Sequence, residues 1–453
     1  MTEKNSKEVV HSDAFRRIEE IDHKYVMHSW SIQNEIHPLP IERGLGSYFW
    51  DFDGKKYLDF SSQLIFTNLG FQHPKVIKAI QEQVALLTTV APQYANEARN
   101  RAAELIVEKA GPGFSKVFFT NGGADGNENA IRMARVATGK HKILSCYRSY
   151  HGNTTSSITA SGDPRRWPNE FASGHVHFFG PHSYRSSFFS QTEEEERDRA
   201  LAHLEEVILF EGPNHIAAIL METVVGGAGI LIPPAGYLQG VRDLCNKYGI
   251  KWIADEVMCG FGRIGEWFAF QKWEVKPDLI VFAKGVNSGY VPLGGVVVSE
   301  EMASTLDGQF FPGGLTYSGH PLACASAVAN IEAMVEEKIL ENAREIGEKI
   351  FRPELERLMA KHKIIGDVHG IGVFWAIELV KNRISKEPLS PYGKISPEMK
   401  ELFAECLRLG FVPYMNFNRL HMCPPCNISE TEALEGIAAL DQALAIVGRY
   451  YQE

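Results

Sequence analysis

"DLIVFAKGVNSGYVPLGGVVVS" runs from Asp278 to Ser299 and decides the fold. Residues 279–283 form a continuous apolar run with β-branched members, the pattern of a strand buried on both faces. The run stops at a single lysine, Lys284, and gives way to Gly, Asn, Ser, Pro and Gly-Gly. A lysine at a strand end is ordinarily a solvated terminus. The glycines behind it imply instead that backbone must approach something closely.

Outward from this stretch the same rhythm repeats. "KVFFT", "KILSC", "AAILMET" and "IKWIADE" read as strands, while "NENAIRMARVATG" and "GYLQGVRDLCNKYG" read as helices with a glycine stop. Strands alternating with helices predict an α/β fold, a mostly parallel sheet covered on both faces. "RGLGSYFWDFDGKKYLDFSS" (43–62) predicts a β-hairpin turning at Asp53-Gly54. The acidic run "TEEEERDRALAHLEEVIL" predicts an amphipathic helix whose glutamates are a solvated face near its start. After about residue 330 two long helical stretches precede a glycine-punctuated strand pair, "IIGDVHGIGVFWAIELV", then a helix, "CPPC" and a last helix. The expected organisation is an N-terminal segment and hairpin (1–72), a large domain (73–330) and a smaller α+β C-terminal domain (331–453) that the hairpin joins.

With 453 residues, 44% hydrophobic and 23% charged, the chain can bury a sizeable core and more than one domain. A net charge of -10 argues against a general nucleic-acid binder. No apolar run approaches the ~18–20 residues that cross a bilayer, so no membrane partner is expected. The start, "MTEKNSKEVVHSDAF", lacks the apolar stretch of a signal peptide. Seven scattered cysteines fit a reducing, cytoplasmic setting. Cys423 and Cys426 form a CxxC without a second ligand pair nearby, so they read as small apolar residues around a Pro-Pro turn and no metal is expected.

In an open α/β sheet, ligands lie beyond the carboxyl ends of the strands. Three such ends stand out. "FFTNGGADGNENAIRMAR" places Gly122-Gly123-Ala124 between a strand and a helix, where bare amides make an anion site. "WIADEVMCGFGRIGEWF" ends a strand on Asp255 and Glu256, which could ligate a metal or cap a turn. Lys284 is the third. An anion cradle, an acid and a lysine together meet the needs of pyridoxal 5'-phosphate: donors for its phosphate, a carboxylate for its ring nitrogen and an amine for its aldehyde.

The chain resembles the class III (ω-) aminotransferases of the fold-type-I pyridoxal phosphate group over nearly its whole length. The resemblance rests on "DEVMCGFGRIGEWF", "PDLIVFAKGVNSGYVPLGGV", "YLDFSSQLIFTNLGFQHP", "YRSYHGNTTSS", "GILIPPAGY", "TYSGHPLACASA" and "GDVHGIGVFWAIEL", in the family's order. It implies Lys284 as the Schiff-base lysine and Asp255 as the partner of the ring nitrogen. Val257 and Tyr150 would lie on the two ring faces, Gly123 and Ala124 on the phosphate, and Glu222 near the ring. Thr316 would reach the phosphate from a neighbouring subunit, implying a homodimer with shared sites and leaving open a tetramer. The glycines after Lys284 would make room for cofactor and partner subunit. His151 joins the cofactor-binding set, with a satisfied buried histidine as the alternative. Arg263, between glycines, reads as structural. Trp30, Ile65, Arg165, Arg166 and Arg419 are the candidate substrate residues.

Departures from the family pattern bear on the substrate. "ETVVGGAG" puts Gly227 where many members carry a gating glutamate, and Tyr414 stands where a switching arginine is usual. His369 also replaces a common arginine. "SGDPRRWPNE" offers Arg165 and Arg166 as an anion clamp, with surface solvation as the alternative. The Asn-Glu-Asn at 127–129, "YRSYHG", "GDPRRWPNE" and "FGPHSYRSSF" look most like the taurine aminotransferase branch. That likeness implies transfer from taurine to 2-oxoglutarate or pyruvate, with β-alanine, GABA or a diamine as the alternative donor.

Overall fold

The aromatic-rich stretch near the N-terminus makes three strands rather than a simple hairpin: β1 (Ile41–Leu45), β2 (Tyr48–Asp51) and β3 (Lys56–Phe60). Asp53-Gly54 makes the expected turn, with Gly54 at φ 78°. Gly46, at φ 57°, allows a second reversal between β1 and β2. These strands come from a computed structural model that describes residues 11–453. The expectation about a signal peptide falls in part on residues 1–10, which lie outside the described residues.

The cleft-bearing sheet has seven strands: β4 (Phe114–Thr120), β5 (Lys142–Cys146), β6 (His175–Phe178), β7 (Ile216–Glu222), β8 (Lys251–Asp255), β9 (Leu279–Phe282) and β10 (Gly294–Ser299). Their order is β4-β10-β9-β8-β7-β5-β6. From β9 to β6 all neighbours are parallel, whereas β10 is antiparallel to both β4 and β9. Every residue of β7, β9 and β10 is buried, as continuous apolar runs require between two covering layers. The helix Gly123–Thr138 lies on this sheet through Ala130, Ile131, Met133 and Ala134, and stops at Gly139 in the left-handed region.

The second sheet is built from both ends of the chain. Its C-terminal strands are β11 (Ile365–Ile371), β12 (Phe374–Asn382), β13 (Glu387–Pro388), β14 (Phe411–Asn416) and β15 (Arg419–Met422). The order is β1-β2-β3-β14-β15-β12-β11, with β13 on β12. The β3–β14 pair is parallel and sets Leu58 beside Phe411. Cys423 and Cys426 are buried and free, and their amides donate to the carbonyls of Phe60 and Asn68 at 2.7 Å. The CxxC segment thus ties the start of the chain to its end.

One reading of a helix needs correction. The acidic helix Glu193–Glu211 is not uniformly solvated at its start: Glu196 is fully buried and accepts the His182 amide at 2.7 Å. The second helical stretch after residue 330 runs unbroken from Ile339–Ile346 through a π-helical turn at Gly347–Phe351 into Arg352–Lys361. Among the described residues no helix is long and apolar enough to cross a membrane.

Candidate active site

Sheet register brings the three strand ends together. Glu222 pairs with Asp255 and Asp255 with Val281, so β7, β8 and β9 finish side by side. Lys284 follows two residues later at φ 47°. A non-glycine residue there costs roughly 1–2 kcal/mol, which the surrounding packing must offset. The result is a partly buried lysine lining a cleft of about 500 Å³ with Gly123, Ala124, Tyr150, Asp255 and Val257. Burial lowers its pKa from 10.5 to about 8, against the pull of the Glu222 and Asp255 carboxylates. Arg165 and Arg263 push in the same direction as burial.

Asp255 is 2% exposed, and its carboxylate is held from three sides. His151 Nδ1 donates to Oδ2 at 2.7 Å, Asn127 Nδ2 donates to Oδ2 at 2.8 Å, and the Val257 amide donates to Oδ1 at 3.1 Å. His151 therefore supports Asp255 and also lines the cleft. Its Nε2 has no partner among the described residues. Asn127 was missed in the sequence. Its only signal is its place one helical turn after Gly123, which turns it toward the same strand ends. Glu256 points elsewhere: it is fully buried and accepts the amides of Ala269 and Phe270, which settles it as a cap rather than a metal ligand.

The start of the helix Gly123–Thr138 has the geometry an anion cradle needs. Gly122 caps the helix Gly123–Thr138 without a side chain, so the first-turn amides of Gly123 and Ala124 have no acceptor above them. A Cβ on Gly123 would stand 2.9 Å from Val257 Cγ2, so only glycine lets the helix start this close to the strand end. Gly152, at φ 132°, is fixed likewise: a Cβ there would meet the Ala124 side chain at 2.5 Å. A lysine with a lowered pKa, a carboxylate receiving three donors and an uncapped helix start fit the aldehyde, ring nitrogen and phosphate of pyridoxal phosphate.

Glu222, also buried, accepts the amides of Tyr150 at 3.0 Å and Gly226 at 2.8 Å. Burial pushes its pKa up to about 7. Tyr150 borders the cleft, with the Arg165 guanidinium 3.5 Å from its ring centroid. Trp30 packs edge-on against Tyr150 at 6.2 Å. Beyond Trp30 opens an outer chamber of about 800 Å³, walled by Arg165, Gly227, Tyr414 and Asn416.

Four other residues lie elsewhere. Ile65 is 1% exposed within an apolar cluster with Val224, Ile230 and Phe374, and Phe66 takes the place at the cleft. Arg166 pairs with Glu170 at 2.6 Å and lines neither chamber. Arg419 lines a different cavity beside Arg148 and Arg185. Thr316 is exposed and lies outside the cleft of its own chain.

The glycines after Lys284 make room within their own chain, and Gly289 also lines the cleft. A Cβ on Gly285 would meet Asn68 at 2.3 Å, one on Gly289 would meet Phe66 at 2.4 Å, and one on Gly295 would meet Phe282 at 2.5 Å. They admit the 66–68 segment and the neighbouring strands. Arg263 is structural as expected: fully buried, it donates to Asn68 Oδ1 at 2.8 Å, Ser62 Oγ at 3.2 Å and the carbonyls of Val373 and Pro424.

Fold and cleft together define a pyridoxal phosphate-dependent transferase, and the family follows from comparison: residues 31–444 match the aminotransferase class-III family, to which the chain belongs. It is a transaminase that takes an amine donor and a keto-acid acceptor. Taurine--pyruvate aminotransferase of Bilophila wadsworthia is 34% identical over 449 residues, covering 94% of this chain and 96% of that one. Gamma aminobutyrate transaminase 2 of Solanum lycopersicum is 34% identical, covering 92% and 93%. The structure of taurine:2-oxoglutarate aminotransferase from Bifidobacterium kashiwanohense, in complex with pyridoxal phosphate and glutamate, superposes with a TM-score of 0.94 at 43% identity, covering 97% and 99%.

Proposed function

We infer that the donor is an ω-amine ending in a permanent anion, taurine above all, and that the acceptor is 2-oxoglutarate. The placement of Arg165 carries this reading. Its guanidinium lies over Tyr150, pairs through Nε with the Asp163 carboxylate at 2.9 Å, and walls the outer chamber beside Gly227. A cation at that position suits a sulfonate two carbons from the reacting amine. The likeness to the two taurine enzymes supports it, and the higher identity to the 2-oxoglutarate enzyme favours that acceptor. A short ω-carboxylate such as GABA or β-alanine is the second reading, favoured by the likeness to the tomato enzyme.

Pyridoxal phosphate, when bound, supplies an electron sink for the carbon that loses its proton. Gly123 and Ala124 would take its phosphate, Asp255 would hold the proton of its ring nitrogen, and Val257 and Tyr150 would border the ring. Lys284 Nζ would hold its aldehyde and, when free, would take the proton from the amine-bearing carbon. With its pKa near 8, a useful fraction of that amine is neutral close to neutral pH. Glu222 spaces Tyr150 from the 226–229 loop. The acceptor is aminated through the same residues in reverse.

We read the chain as a homodimer, with Thr316 of the partner subunit completing the phosphate cradle. Exposed Phe310 and Tyr317 beside Thr316 support a covered surface there. The division into 1–72, 73–330 and 331–453 belongs to the same reading. The test is a matrix of taurine, β-alanine, GABA and putrescine against pyruvate and 2-oxoglutarate, with Lys284→Ala and Arg165→Gln. Taurine with 2-oxoglutarate should turn over fastest, and Lys284→Ala should be inactive while still binding cofactor. Arg165→Gln should raise the taurine KM about tenfold, as loss of one charge-assisted contact predicts. Turnover of putrescine with taurine inert would refute the donor assignment.

A further inference from the structure

A third cavity, of about 400 Å³, has no part in the chemistry above. Its walls include Arg148, His182, Arg185, Tyr392 and Arg419. Arg185 and Arg419 both lean on one fully buried carboxylate, Glu378, with Arg419 Nε 3.4 Å from Oε2. Arg185 Nη2 and Arg419 Nη1 are buried and keep no partner among the described residues. Arg148 donates to Ser187 Oγ at 3.3 Å. Burial, and after it the neighbouring Arg419 charge, lowers the Arg148 pKa, so the two guanidinium groups feel one another. His182 is 5% exposed, and neither ring nitrogen has a partner.

Two carboxylates answer three guanidinium groups here. Glu378 serves Arg185 and Arg419, while Glu196, near Arg148, accepts from the His182 amide and the Ser186 hydroxyl. A positive charge is left over, with several buried donors unmet. Each buried unmet donor costs about 1–3 kcal/mol. An anion with several acceptor oxygens would satisfy them together.

The cavity stands apart from the Lys284 cleft. It shares only Ala228 and Tyr392 with the outer chamber, and that chamber shares only Trp30 with the cleft. A donor with two carbons between amine and anion cannot span the intervening chamber. We propose that Arg148, Arg185, Arg419 and His182 form a second anion site, separate from the transamination site, for a small doubly charged oxyanion. It lies beneath the 226–229 loop: Gly229, at φ 125°, packs so closely that a Cβ would meet Arg419 Cδ at 2.8 Å.

Equilibrium dialysis of the holoenzyme with labelled sulfate at fixed ionic strength tests this, with phosphate and succinate as competitors. Wild-type enzyme and Arg165→Gln should each bind a sulfate that Arg148→Gln and Arg419→Gln weaken about tenfold or more, as loss of a charge-assisted contact predicts. Retained cofactor absorbance certifies that the variants are folded. Better competition by phosphate marks a tetrahedral ligand, and better competition by succinate marks a dicarboxylate. Unchanged sulfate binding in folded Arg148→Gln, or loss of all binding in Arg165→Gln, overturns the proposal.

Discussion

The free amine of Lys284 should titrate far below an ordinary lysine, and this can be measured in protein stripped of cofactor. Its pKa falls from 10.5 to about 8 because burial disfavours the ammonium more than Glu222 and Asp255 favour it. At ~1.4 kcal/mol per unit, the shift corresponds to roughly 3 kcal/mol. At about pH 7.5 it leaves about a quarter of the side chain neutral, against about one in a thousand for an unshifted lysine. The folded chain releases this proton near 8 and the unfolded chain near 10.5, so stability rises with pH across that window and the contribution is lost below it. The assay traps the apoprotein with pyridoxal, which lacks the phosphate, and cyanoborohydride over a range of pH, and counts label on Lys284 by peptide mass spectrometry. The midpoint should fall near 8. Glu222→Gln should move it lower still, because it removes the strongest charge holding the ammonium. A wild-type midpoint near that of surface lysines, or an upward shift in the variant, would refute the reasoning.

Two further substitutions probe the supports of the site. His151→Phe removes the donor 2.7 Å from Asp255, a charge-assisted bond contributing roughly 2 kcal/mol. Cofactor affinity should fall about tenfold or more, which equilibrium dialysis checks. Arg263→Met strands the acceptors of Asn68 and Pro424, costing roughly 3 kcal/mol, visible as a lower unfolding temperature of the holoenzyme.

The sheet and its strand-end residues were legible because they carry local signals. Continuous apolar runs located β7, β8 and β9, and abrupt changes to Asp255 and Lys284 marked the ends of β8 and β9, whereas Glu222 came only with the family resemblance. Gly123 stood out as glycine between strand and helix. Other features have no local signature. The insertion of β10 between β4 and β9 depends on which strand edge remains free, and no residue within β10 encodes that. On β15 Arg419, Leu420, His421 and Met422 are all buried, so alternation could not say which cavity Arg419 would face. Ile65 sits at φ 59° beside a kink, where a side chain's direction follows tertiary packing rather than helical period. Asn127 needed the distance across the sheet, which only the fold supplies.

The pairing of Leu58 with Phe411 also sets an order of events during synthesis. At roughly 5–20 residues per second, the stretch of about 350 residues between them takes from about twenty seconds to over a minute to emerge. All seven strands of the cleft-bearing sheet appear in that interval. A nascent chain halted before Phe411 already holds Lys284, Asp255 and the glycine cradle, yet leaves β3 an aromatic-flanked open edge. Such a fragment keeps an unpaired strand edge until the C-terminal strands emerge.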